Sequence, residues 1–453
     1  MTGLGDGLQT VFPDTIFALA SGQGRASVAV IRVSGVGAGL CLERLTGRTS
    51  LVPRRATRVA VRAADGELLD RGLAIWFPGP GSFTGEDVLE LQLHGGRAIL
   101  QEVMNALSAV TGVRTAEAGE FSRRAFENGK FDLTAAEGLA DLIAAETPEQ
   151  RRQALRQADG RLAKLCEGWR DSLISGMADL EAAIDFSEEE IPSGLLTRAQ
   201  EAAGQLAGEI SRHLGEAQRG ERVREGIRVA ILGAPNAGKS SLLNGLAGRD
   251  AAIVAAAPGT TRDVVEVRVE MAGCPVILRD TAGIRETVEA VEREGVRRSE
   301  EAAREADIRL LVFDGARWPV VDARTAGLWD ANALGVLSKV DRVAGSGPWR
   351  LGERTLVAAS VVTDQGLEAL RQMLEVAVRE RYAGGADVAL TRARHREALQ
   401  ACREGLLRAG AGQAEELVVE DLRLAARALG RLTGAVDVED VLDAVFREFC
   451  IGK

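Results

Sequence analysis

Histidine and cysteine are scarce in this 453-residue chain, with three and five copies. So few ligands leave little from which to build a zinc site, and the cysteines (Cys41, Cys166, Cys274, Cys402, Cys450) are dispersed without a CxxC pair. An odd, scattered set of thiols points to a reducing compartment, and the expected location is cytoplasmic. No uninterrupted apolar run approaches the roughly 18 residues needed for a transmembrane helix. The first twenty residues hold Asp6 and Asp14 but no lysine or arginine, which argues against a signal or transit peptide. Basic residues are outnumbered, 56 to 66, for a net charge of −10. A protein that blankets nucleic acid with positive charge is thereby excluded, and any RNA contact needs a local patch or a partner.

What is present is ordinary for a globular protein: 46% hydrophobic and 27% charged residues, at a length that suggests about three domains. Residues 27–34, 73–77 and 88–94 read as strands, and 98–110 as an amphipathic helix. These make residues 1–130 an α+β domain. From Thr134, where Thr134 and Glu137 fit a capping box, helical composition persists to about residue 221, with turns at Asp159-Gly160 and Pro192-Ser193-Gly194. At Gly226 the pattern changes abruptly. Strand-like runs at 227–232, 264–270, 276–278, 308–313, 333–337 and 355–358 alternate with helical stretches, the signature of a mostly parallel sheet covered by helices. Residues 222–384 form this α/β unit. Three further helical segments are expected at 391–409, 415–429 and 438–449. About 65 residues are thin for an independent core, so 385–453 should pack with 131–221, making the α/β unit an insertion in a helical domain.

Chemistry concentrates in that insertion. Gly233-Ala-Pro-Asn236-Ala237-Gly238-Lys239-Ser240 matches GxxxxGK[ST] between a strand and a helix. Loop N–H groups cradle phosphates, Lys239 reaches the β/γ-phosphates and Ser240 binds Mg²⁺. Downstream, Asp280-Thr281-Ala282-Gly283 supplies a carboxylate near the metal and an N–H for the γ-phosphate. Gly259-Thr260-Thr261-Arg-Asp263 sits where a switch threonine completes the metal shell. Ser338-Lys339-Val340-Asp341 follows a buried strand and resembles the guanine-reading NKxD element. A carboxylate at Asp341 accepts both N1–H and the 2-amino group of guanine, a pair of donors adenine lacks. In this order and spacing the segments make a GTPase. Ser338 replaces the usual Asn, which weakens guanine anchoring. Ile284, after Gly283, cannot orient water, so Glu286, Glu289 or Glu292 must do so unless all three lie on a solvated face.

These motifs, with 14–17 (DTIF), 32–35 (RVSG), 83–96 (FTGEDVLELQLHGG), 119–122 (GEFS), 133–143 (LTAAEGLADLI) and 449–453 (FCIGK), resemble the MnmE (TrmE) family of tRNA modification GTPases nearly end to end. The resemblance implies an N-terminal folate-binding and dimerising domain, a central helical domain and the inserted P-loop GTPase domain. It implies a homodimer that, in a heterotetramer with the FAD-dependent MnmG, adds carboxymethylaminomethyl or aminomethyl groups at C5 of wobble uridine in certain tRNAs. The one-carbon donor would be 5,10-methylene- or 5-formyl-tetrahydrofolate. A ribosome-assembly or other RNA-linked switch GTPase is the alternative.

By the same resemblance, K⁺ takes the place of an arginine finger, ligated by the Asn236 side chain and by Ala255 and Ala257 oxygens with help from Thr260. Mg²⁺ falls to Ser240 and Thr261. Ser241, Ala256, Pro258 and Ser360 join the nucleotide contacts. Glu292, in Val291-Glu292-Arg293-Glu294-Gly295, matches the water-orienting glutamate. Arg32, Glu90, Lys130 and Lys453 match folate positions and carry charges suited to a pterin edge and an anionic tail. Cys450 is placed near the folate pocket and implicated in the modification. Arg151, Arg152, Arg156, Arg161, Lys164 and Arg170 gather on one expected helix, either a solvated face or a tRNA contact.

Overall fold

Of the 453 residues, the computed structural model describes 12–22, 24–185, 194–250, 265–280, 301–345, 347–384, 388–412, 414–436 and 439–452. The chain divides into two units. One comprises Met1–Ala140, Ala158–Ser172 and Ala426–Lys453, the other Asp141–Gln157 and Leu173–Ala425.

In the first unit, alternating residues build a six-stranded sheet: β1 (Thr15–Leu19), β2 (Ala26–Ser34), β3 (Thr57–Arg62), β4 (Leu68–Phe77), β5 (Val88–Gly95) and β6 (Val113–Thr115). Their order is β3-β4-β5-β2-β1-β6, with only the short β1–β6 pairing parallel. Helices α1 (Ala38–Thr46) and α2 (Arg97–Ser108) cover one face, burying Ile31, Val33, Leu42, Leu89, Leu91 and Leu107. In-and-out alternation leaves the opposite positions of β2 and β5 for polar residues, and the register sets Arg32 directly across from Glu90.

Beyond the sheet lie α3 (Glu120–Glu127) and α4 (Leu133–Ala144). The cap of α4 differs from the capping box read at Thr134. Asp132 Oδ1 accepts from the N–H groups of Thr134 (2.6 Å) and Ala135 (3.1 Å), so α4 starts earlier and Thr134 and Glu137 are buried within it. An aspartate is a better acceptor for first-turn amides than a threonine already inside the helix. Leu133 and Ala136 pack with Leu442, Val445, Phe446 and Phe449 of the C-terminal segment. Gly119 sits at φ +71, and a Cβ there would lie 2.2 Å from Phe446 O. Ala118 bridges Ile451, and a Cβ on Gly452 would lie 2.1 Å from Leu19 O.

The second unit holds a seven-stranded sheet in the order β12-β13-β11-β10-β7-β9-β8. The strands are β7 (Ile227–Gly233), β8 (Val265–Met271), β9 (Cys274–Asp280), β10 (Ile308–Asp314), β11 (Ala333–Ser338), β12 (Trp349–Leu351) and β13 (Arg354–Ala358). The five inner strands are parallel and the edge strands β8 and β12 antiparallel. Burial on both faces explains the near-continuous apolar runs of β7, β9 and β10. Helix α8 (Lys239–Asp250) and the helix Leu367–Tyr382 pack on one face. The helix Ala393–Ala411 runs along α7 (Leu195–Glu225), with Arg396 paired to Glu221 at 2.6 Å.

The basic residues expected on one helix are split. Arg151, Arg152 and Arg156 lie on α5 (Pro148–Ala158), while Arg161, Lys164 and Arg170 lie on α6 (Arg161–Asp185). The break is at Gly160, φ +72, a conformation glycine adopts without steric penalty. The six therefore share no single helix face, and Arg152 is engaged by Glu149 at 2.7 Å. Among the described residues no helix is long and apolar enough to cross a membrane.

Candidate nucleotide-binding site

Strand β7 ends at Gly233, and the chain must turn within five residues to begin α8 at Lys239. It does so with left-handed conformations at Asn236 (φ +60) and Gly238 (φ +92). Asparagine tolerates this region and glycine suits it, which is the local reason for those two residue types. Lys239 is 6% exposed, and its Nζ donates to Gly233 O and Ala234 O, each at 3.0 Å, closing the loop on itself. Burial pushes its ammonium below the usual lysine range, and the Asp280 carboxylate pulls it back up. The next residue, Ser240, donates to Asp280 Oδ2 from the first turn of α8, with Ser241 following it. Asp280 closes β9 and is 2% exposed. A hydroxyl and a carboxylate oxygen side by side at a phosphate-loop mouth are hard ligands of the kind Mg²⁺ takes.

The other end of the site is built by the carboxyl ends of β10, β11 and β13. Ser338 directs its hydroxyl at Ala237 O and Phe313 O. Lys339 adopts φ +53 and places Nζ 2.8 Å from Asp314 Oδ2 and against Asn236 O. After Val340, Asp341 accepts the Ser360 hydroxyl at Oδ1, while Arg342 Nε approaches Oδ2 at 3.9 Å. Ser360 is itself fixed by its N–H donating to Gln365 O at 2.8 Å. One carboxylate has about four lone-pair sites, so Asp341 keeps capacity for two further N–H donors. Thus Asn236, Ala237, Gly238, Lys239, Ser240, Asp280, Ser338, Lys339, Asp341 and Ser360 share one face of the sheet's carboxyl edge, where open α/β sheets bind ligands. Ala255, Ala256, Ala257, Pro258, Gly259, Thr260, Thr261, Thr281, Ala282, Gly283, Glu286, Glu289, Glu292 and Lys453 lie outside the described residues.

On the N-terminal sheet, Arg32 Nε and Nη2 both donate to Glu90 Oε1, at 3.0 and 2.8 Å. The guanidinium lies 5.5 Å from the Phe83 ring and 5.7 Å from that of Phe121. Lys130 Nζ donates to Pro80 O at 2.7 Å, pinning the same loop that carries Phe83. The structure brings together a cation, a carboxylate and two aromatic faces, a donor set suited to a flat heterocycle with an anionic tail.

Arg124, which sequence reasoning missed, holds this region together. It is 1% exposed, and its Nη2 reaches Asp14 Oδ1 (2.8 Å) and Glu120 Oε1 (3.0 Å). Its Nη1 donates to Asp14 O (3.0 Å) and Glu86 Oε1 (3.2 Å), and the group lies 4.4 Å from the Phe12 ring. Burial raises the Glu86 carboxyl above its usual range despite the Ser34 hydroxyl and Arg124, which lower it. The one available sequence signal was the (i, i+4) spacing of Glu120 and Arg124.

Cys450 is exposed, following buried Phe449 and preceding Ile451, which is itself exposed. The other four thiols are buried, and burial pushes Cys41 up to about 11 and Cys274 and Cys402 to about 12.

Residues 15–130 match the GTP-binding protein TrmE N-terminus, and residues 133–450 match the MnmE helical domain. The chain is 53% identical over 440 residues to the tRNA modification GTPase MnmE of Paramagnetospirillum magneticum, covering 97% of this chain and all of the relative. The proteins of that name from Rhodospirillum rubrum and Parvibaculum lavamentivorans are each 50% identical, covering 97% of this chain and 99% and 100% of their own lengths. The chain belongs to the MnmE family of tRNA modification GTPases.

Proposed function

We propose that this GTP hydrolase couples nucleotide turnover to modification of wobble uridine at C5 in tRNA, as a cytoplasmic homodimer working with the FAD protein MnmG and a tetrahydrofolate one-carbon donor. The observation that carries the nucleotide half is the Ser240–Asp280 hydrogen bond beside buried Lys239. Loop N–H groups and the α8 N-terminus bind the β- and γ-phosphates, and Lys239 adds a point charge to them. Ser240, Asp280 and Thr261 hold Mg²⁺, which neutralises phosphate charge when bound. Asn236, Ala255, Ala257 and Thr260 hold K⁺ in the role an arginine finger fills elsewhere. Glu292 orients the attacking water, and Asp341 with Ser360 selects guanine. In the N-terminal domain Arg32, Glu90, Lys130 and Lys453 bind the folate, with Cys450 nearby. The domain boundaries 1–130, 131–221, 222–384 and 385–453 belong to this reading.

The test is nucleoside analysis of tRNA from cells lacking the chain, complemented with wild type or Glu292→Ala. Unmodified wobble uridine with normal ribosomal subunits, restored by wild type alone, is the expected result. Normal uridine with defective subunits would overturn the reading in favour of a ribosome-assembly switch. In purified protein, hydrolysis should be faster in K⁺ than in Na⁺; equal rates remove the cation role.

A further inference from the structure

Ser338 stands where guanine-binding strands ordinarily carry an amide side chain, yet its surroundings are those of a loop anchor. It ends β11 at 2% exposure, with its hydroxyl directed at Ala237 O and, at 3.0 Å, Phe313 O. A serine hydroxyl has one proton, which these two acceptors already share, and no donor remains for a third group. Lys339 repeats the pattern, its ammonium held against Asn236 O and Asp314. Two consecutive residues therefore grip two consecutive carbonyls of the phosphate loop. In a trans peptide the C=O and the following N–H point in opposite directions. Holding Ala237 O on the β11 side turns the Gly238 N–H away from β11. Asp341, three residues on, pairs instead with Ser360 and Arg342.

We propose that Ser338 is a positioning residue for phosphate binding and takes no part in reading the base, so that discrimination among purines falls to Asp341. This rests on the base-reading role given to Asp341 above, and the test separates the two. The full chain is titrated with GDP, with IDP, which lacks the 2-amino group, and with 7-deaza-GDP, which lacks the N7 acceptor. Ser338→Ala should weaken all three by one common factor of about five- to tenfold, the loss of one hydrogen bond to a buried carbonyl. Ser338→Thr, which keeps the hydroxyl, should restore them. Ser338→Cys, of similar shape but a weak donor, gives the same comparison if the alanine variant does not fold. A changed ratio of GDP to 7-deaza-GDP in any of these variants, or unchanged affinity for all three nucleotides, would overturn the proposal. Asp341→Ala should abolish the preference for GDP over IDP. A preference that survives in Asp341→Ala, with the common factor intact in Ser338→Ala, removes the base-reading role and leaves the loop anchor standing.

Discussion

Arg124→Met is the sharpest probe of the N-terminal unit, because the side chain is almost wholly buried and three carboxylates converge on it. Its guanidinium meets Asp14, Glu86 and Glu120 at 2.8 to 3.2 Å. Methionine fills much of the volume but leaves those charges facing one another. Removing one member of a buried ion-pair set typically costs about 3–5 kcal/mol, chiefly through the uncompensated charge left behind. Asp14 and Glu120 retain Arg114, whose nitrogens lie 2.6 Å from each, so the penalty concentrates on Glu86. Burial already raises the Glu86 carboxyl, and loss of Arg124 removes a group that lowers it. An acid whose folded pKa lies above its unfolded value binds its proton preferentially in the folded state, so stability falls as pH rises past the unfolded value. The deficit should therefore be smaller near pH 5 than near pH 8. Hydrogen exchange by mass spectrometry on peptides covering β1, β2 and β5 reads this locally. Protection there should fall by about 10²- to 4 × 10³-fold at pH 8, the same free energy expressed as an opening equilibrium. Adding Glu86→Gln to Arg124→Met should recover a large part of the loss, since the stranded charge is gone. Protection within a few-fold of wild type, or no rescue by Glu86→Gln, would refute the argument that Arg124 neutralises a buried acid.

Asp132→Ala removes the acceptor for the Thr134 and Ala135 amides at the start of α4, and thermal or denaturant unfolding should show a loss of about 0.5–2 kcal/mol. Cys450 is exposed while the other four thiols are buried, so an aromatic disulfide reagent at neutral pH should titrate one equivalent rapidly in the folded chain and none in Cys450→Ser. Two or more fast thiols would contradict the burial of Cys41, Cys166, Cys274 and Cys402.

The phosphate loop and its flanking strand and helix were legible because each residue there is dictated by local chemistry: a glycine at positive φ, a lysine closing the loop, a hydroxyl opening the helix. The inner strands were equally plain, since burial on both faces leaves short apolar runs. Less could be read where partners lie far apart in sequence. Strands β1, β3 and β6 carry weak patterns and gain their place from pairing with β2, β4 and β1 respectively. The cap of α4 was shifted by two residues because an aspartate outcompetes the threonine that the local motif suggested. Arg124 was invisible for the same reason: Asp14 and Glu86 reach it across the fold, and a buried arginine is too uncommon to assume. The basic residues over 151–170 were read as sharing one helix although the turn at Asp159-Gly160 already divided them, and the break falls at that turn.

The pairing of Ala118 with Ile451, and the close approach of Gly452 to Leu19, stitch the segment after β6 and the end of β1 to residues 451–452. These partners lie hundreds of residues apart in sequence, with the inserted α/β module between them, so the contacts that close over the end of β1 can form only after that module has been made. The inserted α/β module, whose strands are neighbours in sequence, faces no such delay. For anyone redesigning the protein, the practical corollary concerns Gly452: any side chain placed there would collide with the Leu19 carbonyl and loosen a tie between segments far apart in sequence.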